Sequence, residues 1–133
     1  MKKLVCLTLS VLMISVFIVP AFAQTIGYVN YVLKDGVNGK VDTIAGEKEN
    51  DYRYAENQIQ ALSRTVSSEK PVVVRAKKAT NSASASEAKE FSSLTTKKLY
   101  YFDNYGYRGY DYFLRMQNTT GDVPVTVTGR FTP

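Results

Sequence analysis

Along the chain, short runs of alternating apolar and polar residues are separated by clusters of Gly, Asn, Asp, Ser and Pro. That period of two belongs to half-buried β-strands, and a convincing 3.6-residue stripe is hard to find. Ile26 to Leu33, "IGYVNYVL", is rich in β-branched and aromatic residues, and "VDTIA" from Val41 suits a partner strand beyond the turn-rich "KDGVNGK". A loop from Asp35 to Gly39 would pair Leu33 with Val41 and Tyr31 with Thr43. It would leave Val29, Tyr31, Leu33 and Val41 on one apolar face. A tighter turn at Asn38-Gly39 would oppose Asp35 and Asp42, like charges, so the longer loop is expected.

"YRYAENQIQALSR" is ambiguous, because Tyr52, Ala55, Ile59 and Leu62 fit a helical stripe while Tyr52 and Tyr54 also suit a strand end. The expectation is a loop leading into a strand at 59–67, then a turn at "SSEK". Pro71 opens "VVVRAKKA", with Val72, Val74 and Ala76 on one side and Val73, Arg75 and Lys77 on the other. The polar, small-residue segment at about 79–90 carries too little apolar surface to pack firmly and reads as a long mobile loop. Phe91 and Leu94 would dock its end, as a helical turn or a lid over a sheet.

Strand signals return at "KKLYYFD" (97–103), followed by the turn "NYGYRG" and by "YDYFLRMQN" (110–118), which together read as a hairpin. After "TTGD" the run "VPVTVTGRF" puts Val123, Val125, Val127 and Phe131 on one face. Pro124 cannot donate to a ladder, so its nitrogen should face outward or its strand should lie at an edge. About six to eight short strands with turns between them predict an all-β fold, a small antiparallel β-sandwich of the jelly-roll or Greek-key type. Residues 24–133 would form this single domain.

The N-terminus places that domain outside the cell. Lys2 and Lys3 precede an apolar run from Leu4 to Val19, then Pro20 and Ala21-Phe22-Ala23, the pattern of a secretory signal peptide over residues 1–23 with cleavage after Ala23. The sole cysteine, Cys6, lies inside it, so the mature chain would have no disulfide and would depend on its core. Removing Lys2 and Lys3 from the 17 basic residues leaves 15 against 12 acidic ones, a net +3. The bases are dispersed, with Lys77-Lys78 and Lys97-Lys98 as the pairs, which suits solvated strand ends. Nucleic acid is not an expected partner; weak attraction to anionic wall polymers or lipid headgroups is. The chain stops after a strand-like run with no sorting motif, so release as a secreted protein is expected.

Composition also narrows the chemistry. With no His anywhere and no Cys after cleavage, neither a Ser-His-Asp nor a Cys-His nucleophile can be assembled, nor a zinc site from those ligands. Paired carboxylates drawn from Asp103, Asp111, Glu87 and Glu90 would suit a small glycan hydrolase, and a Ser-Lys dyad is compatible with composition. Asp35, Asn38 and Asp42, or Asp103, Asn104 and Asp111, would offer oxygen ligands to calcium, but Asp and Asn before Gly are what hairpin turns use. The expectation is therefore a non-enzyme with no metal and no cofactor.

The stretch Tyr100 to Asn118 holds six of the ten tyrosines and two of the six phenylalanines. Strand parity assigns Tyr101, Tyr110, Tyr112, Leu114 and Met116 to the core. It leaves Tyr100, Phe102, Phe113 and Arg115 outside, with Tyr105 and Tyr107 in the turn. These six are the candidate ligand-binding residues: rings for stacking beside an Arg for hydrogen bonds. A structural role for the same rings is the competing interpretation, since Tyr is a favoured strand residue.

The C-terminal part, "YRGYDYFLRMQNTTGDVPVTVTGRFTP", resembles the ending of a loose group of small exported proteins of Gram-positive bacteria whose role is uncharacterised. The shared features are a Tyr-x-Leu-Arg strand (Tyr112 to Arg115), a turn at Asn118 and a Val-x-Val-x-Gly strand closing on an aromatic residue (Val125 to Pro133). Phe131 stands where Trp is more usual. The resemblance implies export and an all-β fold, and it transfers no site residues. The expected function is non-enzymatic binding of a glycan or wall polymer. A bacteriocin-like or membrane-active protein is the alternative, and a small glycan hydrolase the third reading.

Overall fold

A computed structural model describes residues 24–34, 39–63, 71–119 and 124–133. The expected signal segment, Asp35 and Asn38 of one calcium cluster, the "SSEK" turn and Val123 lie outside the described residues. Among these described residues, nine strands form two antiparallel sheets: β1 (Ile26–Leu33), β2 (Lys40–Asp42), β3 (Gly46–Glu47), β4 (Tyr54–Leu62), β5 (Val72–Lys78), β6 (Lys89–Phe91), β7 (Thr96–Tyr100), β8 (Asp111–Asn118) and β9 (Val125–Thr132). The first sheet runs β1-β9-β4-β7 and the second β2-β8-β5-β6, with β3 also pairing β8. Thr43 joins β2 to β3 along β8: its N–H donates to the Leu114 carbonyl (2.9 Å), and its hydroxyl accepts from the Leu114 N–H (3.0 Å). Counting β2 and β3 as one interrupted edge, eight strands wind from sheet to sheet as in a jelly roll.

This winding overturns both expected hairpins. β1 pairs β9 while β2 pairs β8, and β7 pairs β4 while β8 lies in the other sheet. In each case the two strands that follow one another in sequence lie in different sheets. The segment 52–62 resolves as strand, beginning at Tyr54, earlier than the expected Ile59.

The core lies between the sheets and follows strand parity where the ladders are regular. Val72, Val74 and Ala76 of β5, Leu114 and Met116 of β8, and Val125, Val127 and Phe131 of β9 are fully buried. Parity fails at two bulges. Between Tyr28 and Tyr31, two residues of β1 oppose the single Thr128, Asn30 takes a left-handed φ of 53°, and its N–H donates to Thr128 Oγ1 (3.0 Å). The extra residue reverses the alternation, so Ile26 and Tyr28 are buried before it and Leu33 after it, while Val29 is 67% exposed. The expected apolar face containing Val29 is therefore corrected. A second bulge inserts Gln60 into β4 beside the same level of β9.

Between the two bulges, Tyr28 lies opposite Gly129 and its hydroxyl donates to Asn57 Oδ1 of β4 (2.8 Å). A ring laid against a cross-strand glycine fills space that no side chain at 129 occupies. Pro124 falls one residue before the β9 ladder, whose first pair is Leu33 with Val125. β9 is an interior strand, so the proline is accommodated outside its pairing.

The polar segment after β5 is docked, contrary to the loose loop expected. Ala85 and Ser86 are fully buried. The Ala85 N–H donates to the Ala76 carbonyl (2.9 Å), Ser86 bridges to Tyr101, and the Phe102 N–H donates to the Ala85 carbonyl (2.9 Å). Backbone hydrogen bonds and a small apolar side chain are enough to seam one side of the sandwich, without the large apolar residues whose lack suggested mobility. Phe91 enters the core from β6, whereas Leu94 is exposed.

Candidate functional site

The six residues expected to bind a ligand do not come together. Tyr100 is exposed on the first sheet, and Phe102 and Tyr107 are exposed beyond the end of its strand. Tyr105 is half-buried against the core. Phe113 does point away from the sheet interface, as parity predicts, but it is only 8% exposed, with the Arg115 guanidinium 5.8 Å from its ring centre. Arg115 itself holds Asp42 through Nε and Nη2, both at 2.6 Å. Phe113 and Arg115 thus belong to the opposite sheet from Tyr100, because the assumed hairpin is a sheet-to-sheet crossing. Tyr110, assigned to the core, is 45% exposed, with its ring 4.3 Å from Lys78 Nζ and edge-on to Tyr107.

What the fold does bring together is Tyr100 with two tyrosines that the sequence left in an ambiguous segment. Tyr54 of β4 pairs with Tyr100 of β7, their rings edge to face at 5.9 Å. Tyr52, just before β4, stacks on Tyr54 at 5.3 Å with planes only 5° apart. Lys98 Nζ sits 4.1 Å over the Tyr54 ring, and the Tyr54 hydroxyl holds this ammonium above the usual lysine range.

From this aromatic corner a polar surface continues across β7, β4 and β9 of the first sheet to Thr25, just before β1. Glu56 is flanked by Lys98 and Thr132, and Gln58 by Thr96 and Arg130. A shallow hollow of about 260 Å³ is lined by Thr25, Glu56, Gln58, Thr96, Arg130 and Thr132. A second, of about 140 Å³, is lined by Asn50, Tyr52, Tyr54, Glu56, Thr132 and Pro133. Glu56 and Thr132 border both, so the two hollows form one track from Arg130 to the tyrosines. The signal available in the sequence was the alternation of Tyr54, Glu56 and Gln58 against buried Ala55, Asn57 and Ile59, visible once the segment is read as strand.

The corner is braced from behind. Arg53 donates through Nη1 to the Tyr105 carbonyl (2.7 Å) and through Nη2 to those of Phe102 (3.1 Å) and Asp103 (3.2 Å), clamping the crossing from β7 to β8. Its guanidinium lies 5.5 Å from the Tyr107 ring. Within that crossing, Gly106 has a φ of +80°, and a Cβ there would meet the Tyr101 ring at 2.5 Å. Arg53→Ala is expected to keep the fold and to speed amide exchange over 102–107 at least tenfold, measured by hydrogen–deuterium exchange. Exchange unchanged in that segment would show that the clamp is not needed.

Beneath the corner lies Lys48, fully buried. Its Nζ donates to Asn50 Oδ1 (2.7 Å) and, more weakly, to the Tyr54 carbonyl (3.4 Å), and stands 5.1 Å from the centre of the Tyr101 ring. Burial pushes its pKa down to about 8, against the opposing pull of Asp51. With its side chain enclosed, this amine acts in the packing of the corner. The carboxylates once grouped as hydrolase candidates sit on separate elements: Asp103 follows β7, Asp111 opens β8, Glu87 pairs with Lys89 (2.6 Å) and Glu90 lies in β6. Among the described residues no group of three or more Asp, Glu, His or Cys is arranged to hold a metal ion.

Comparison of the chain with protein-family models, with curated proteins and with solved structures finds no match.

Proposed function

We propose that this protein is a secreted, non-enzymatic binding domain that holds an extended glycan or wall polymer along the outer face of its first sheet. The observation that carries the reading is the cluster of Tyr52, Tyr54 and Tyr100 at one end of a track of Glu56, Gln58, Arg130 and Thr132. Sugar rings present apolar faces that stack on aromatic rings and hydroxyls that need both donors and acceptors at their rims, which is the mixture this track offers. An open, shallow surface suits a chain lying across strands better than a small molecule. The signal-like N-terminus is consistent with a partner met outside the cell.

Purified cell wall and insoluble polysaccharides would be tested for co-sedimentation with the wild-type protein and with Tyr52→Ala and Tyr100→Ala. Both side chains are more than half exposed, so folding should be unaffected. Each change is expected to weaken binding about tenfold, roughly the worth of one stacked ring. Ile44→Ala, exposed outside this track, should bind as wild type. Binding that is absent, or unaltered in both tyrosine variants, would reject the reading. Leakage of anionic liposomes, equally unaltered in those variants, would favour a membrane-active protein instead.

A further inference from the structure

The outer face of the second sheet carries an arrangement that the glycan reading does not use. Arg75 of β5 and Arg115 of β8 are directly opposed in the ladder. Like charges so placed destabilise a sheet. Lys77 lies one step along the same face of β5, opposite Phe113, and Lys40 of β2 lies opposite Gln117. With Ala88, Val73 and Gln117 these four cations line a hollow of about 180 Å³. Asp42 is already held by Arg115 in a two-pronged ion pair. Glu90 lies at the far edge of the face, beyond Val73.

The donors on this face are only partly used. Arg75 uses Nη1 on Ser84 Oγ (3.1 Å), while its Nε is buried without a partner among the described residues. Among the described residues, neither the Lys40 nor the Lys77 ammonium has a side-chain hydrogen bond or ion pair. Burial, then the neighbouring Arg115 and Arg75, lowers the Lys77 pKa, as expected where positive charge is crowded. A sheet that merely needed solubility would not oppose two guanidiniums and add two ammoniums around one hollow.

We propose that this hollow binds a phosphate group, between Arg75 and Lys77 of β5 and Lys40 and Arg115 of the neighbouring strands. A planar carboxylate is satisfied by one guanidinium edge, which is how Arg115 already holds Asp42. A tetrahedral dianion instead accepts donors from several directions at once and neutralises more than one cation, which matches a set contributed by three strands. The site is independent of the first-sheet track, so either proposal can fail without the other.

The test is an NMR titration of the labelled full mature chain with inorganic phosphate, against sodium chloride at matched ionic strength. Phosphate is expected to shift Arg75, Lys77 and Arg115 resonances saturably, with a Kd of about 1 mM or tighter. Lys77→Gln and Lys40→Gln, whose ammoniums make no side-chain hydrogen bond to a described residue, should each weaken binding by about fivefold or more. Arg75→Gln should abolish it, and Lys98→Gln on the other sheet should change nothing. Vesicles of phosphatidylglycerol in phosphatidylcholine identify the source. Vesicle binding competed by inorganic phosphate assigns a lipid headgroup, and phosphate binding without vesicle binding assigns a free or polymer-borne phosphate. The proposal is overturned if phosphate shifts are not saturable, are matched by chloride, or persist unchanged in Lys77→Gln and Lys40→Gln.

Discussion

Gly129→Ala is expected to lower stability by about 3 kcal/mol or more, a fall in Tm of about 10–20 °C for a domain of this size. The added Cβ would stand 2.1 Å from the Gln58 carbonyl oxygen, 2.6 Å from Tyr28 Oη and 2.8 Å from Tyr28 Cζ. The first contact is with backbone in the adjacent strand, which can retreat only by parting β4 from β9. The second is with a hydroxyl held by its bond to Asn57. Urea unfolding of Gly129→Ala, Tyr28→Phe and the double variant would separate the two contacts. Tyr28→Phe alone should cost about 1–2 kcal/mol, since it leaves the buried Asn57 without its donor. In the alanine background it should cost less, because it also removes one of the clashing atoms. A wild-type Tm in Gly129→Ala would mean that neither the Gln58 carbonyl nor Tyr28 closes on this position.

Stability is expected to peak in the alkaline range, near pH 10. Three buried groups set this, with opposite signs. Lys48 has a folded pKa of about 8, below the ordinary lysine value of about 10.5, so between those limits the unfolded chain carries a proton that the folded chain has shed. Stability therefore rises with pH across that window. Tyr28 and Tyr101 act the other way. Burial raises both phenols far above their ordinary range, reinforced at Tyr101 by the neighbouring Tyr112. Above about pH 10 the unfolded chain ionises these groups while the folded chain cannot, so stability falls. Urea midpoints from pH 7 to 11 would trace the rise and the fall. Lys48→Met should remove the rise and Tyr101→Phe should reduce the fall. A wild-type curve that is flat or falling between pH 8 and pH 10 would contradict the buried state of Lys48.

Much of the fold was legible because local chemistry and tertiary context agree. Val72, Val74 and Ala76, and likewise Leu114 and Met116, occupy one side of a regular strand, and burying that side is the only way to satisfy both alternation and the apolar content. The candidate site was legible only in part. Tyr100 was identified as an exposed ring, but its partners Tyr52 and Tyr54 lie more than forty residues earlier in the chain, and no short-range pattern links them.

From its sequence alone, this protein is an all-β chain whose regular strands have defined inner and outer faces, with no thiol or imidazole chemistry in the expected mature domain. Those properties are local or compositional, so each residue contributes to them without reference to distant ones. Tertiary structure alone decided which strands pair, where bulges reverse the alternation, and hence which side chains share a surface. The turns after β1 and β7 have the composition of hairpin turns, yet in both cases each strand gains more by pairing with a distant partner in its own sheet than with its neighbour in sequence. That preference depends on the whole set of long-range contacts, which no single turn encodes. For the same reason Arg75 and Arg115, forty residues apart, become neighbours only when β5 and β8 are laid side by side.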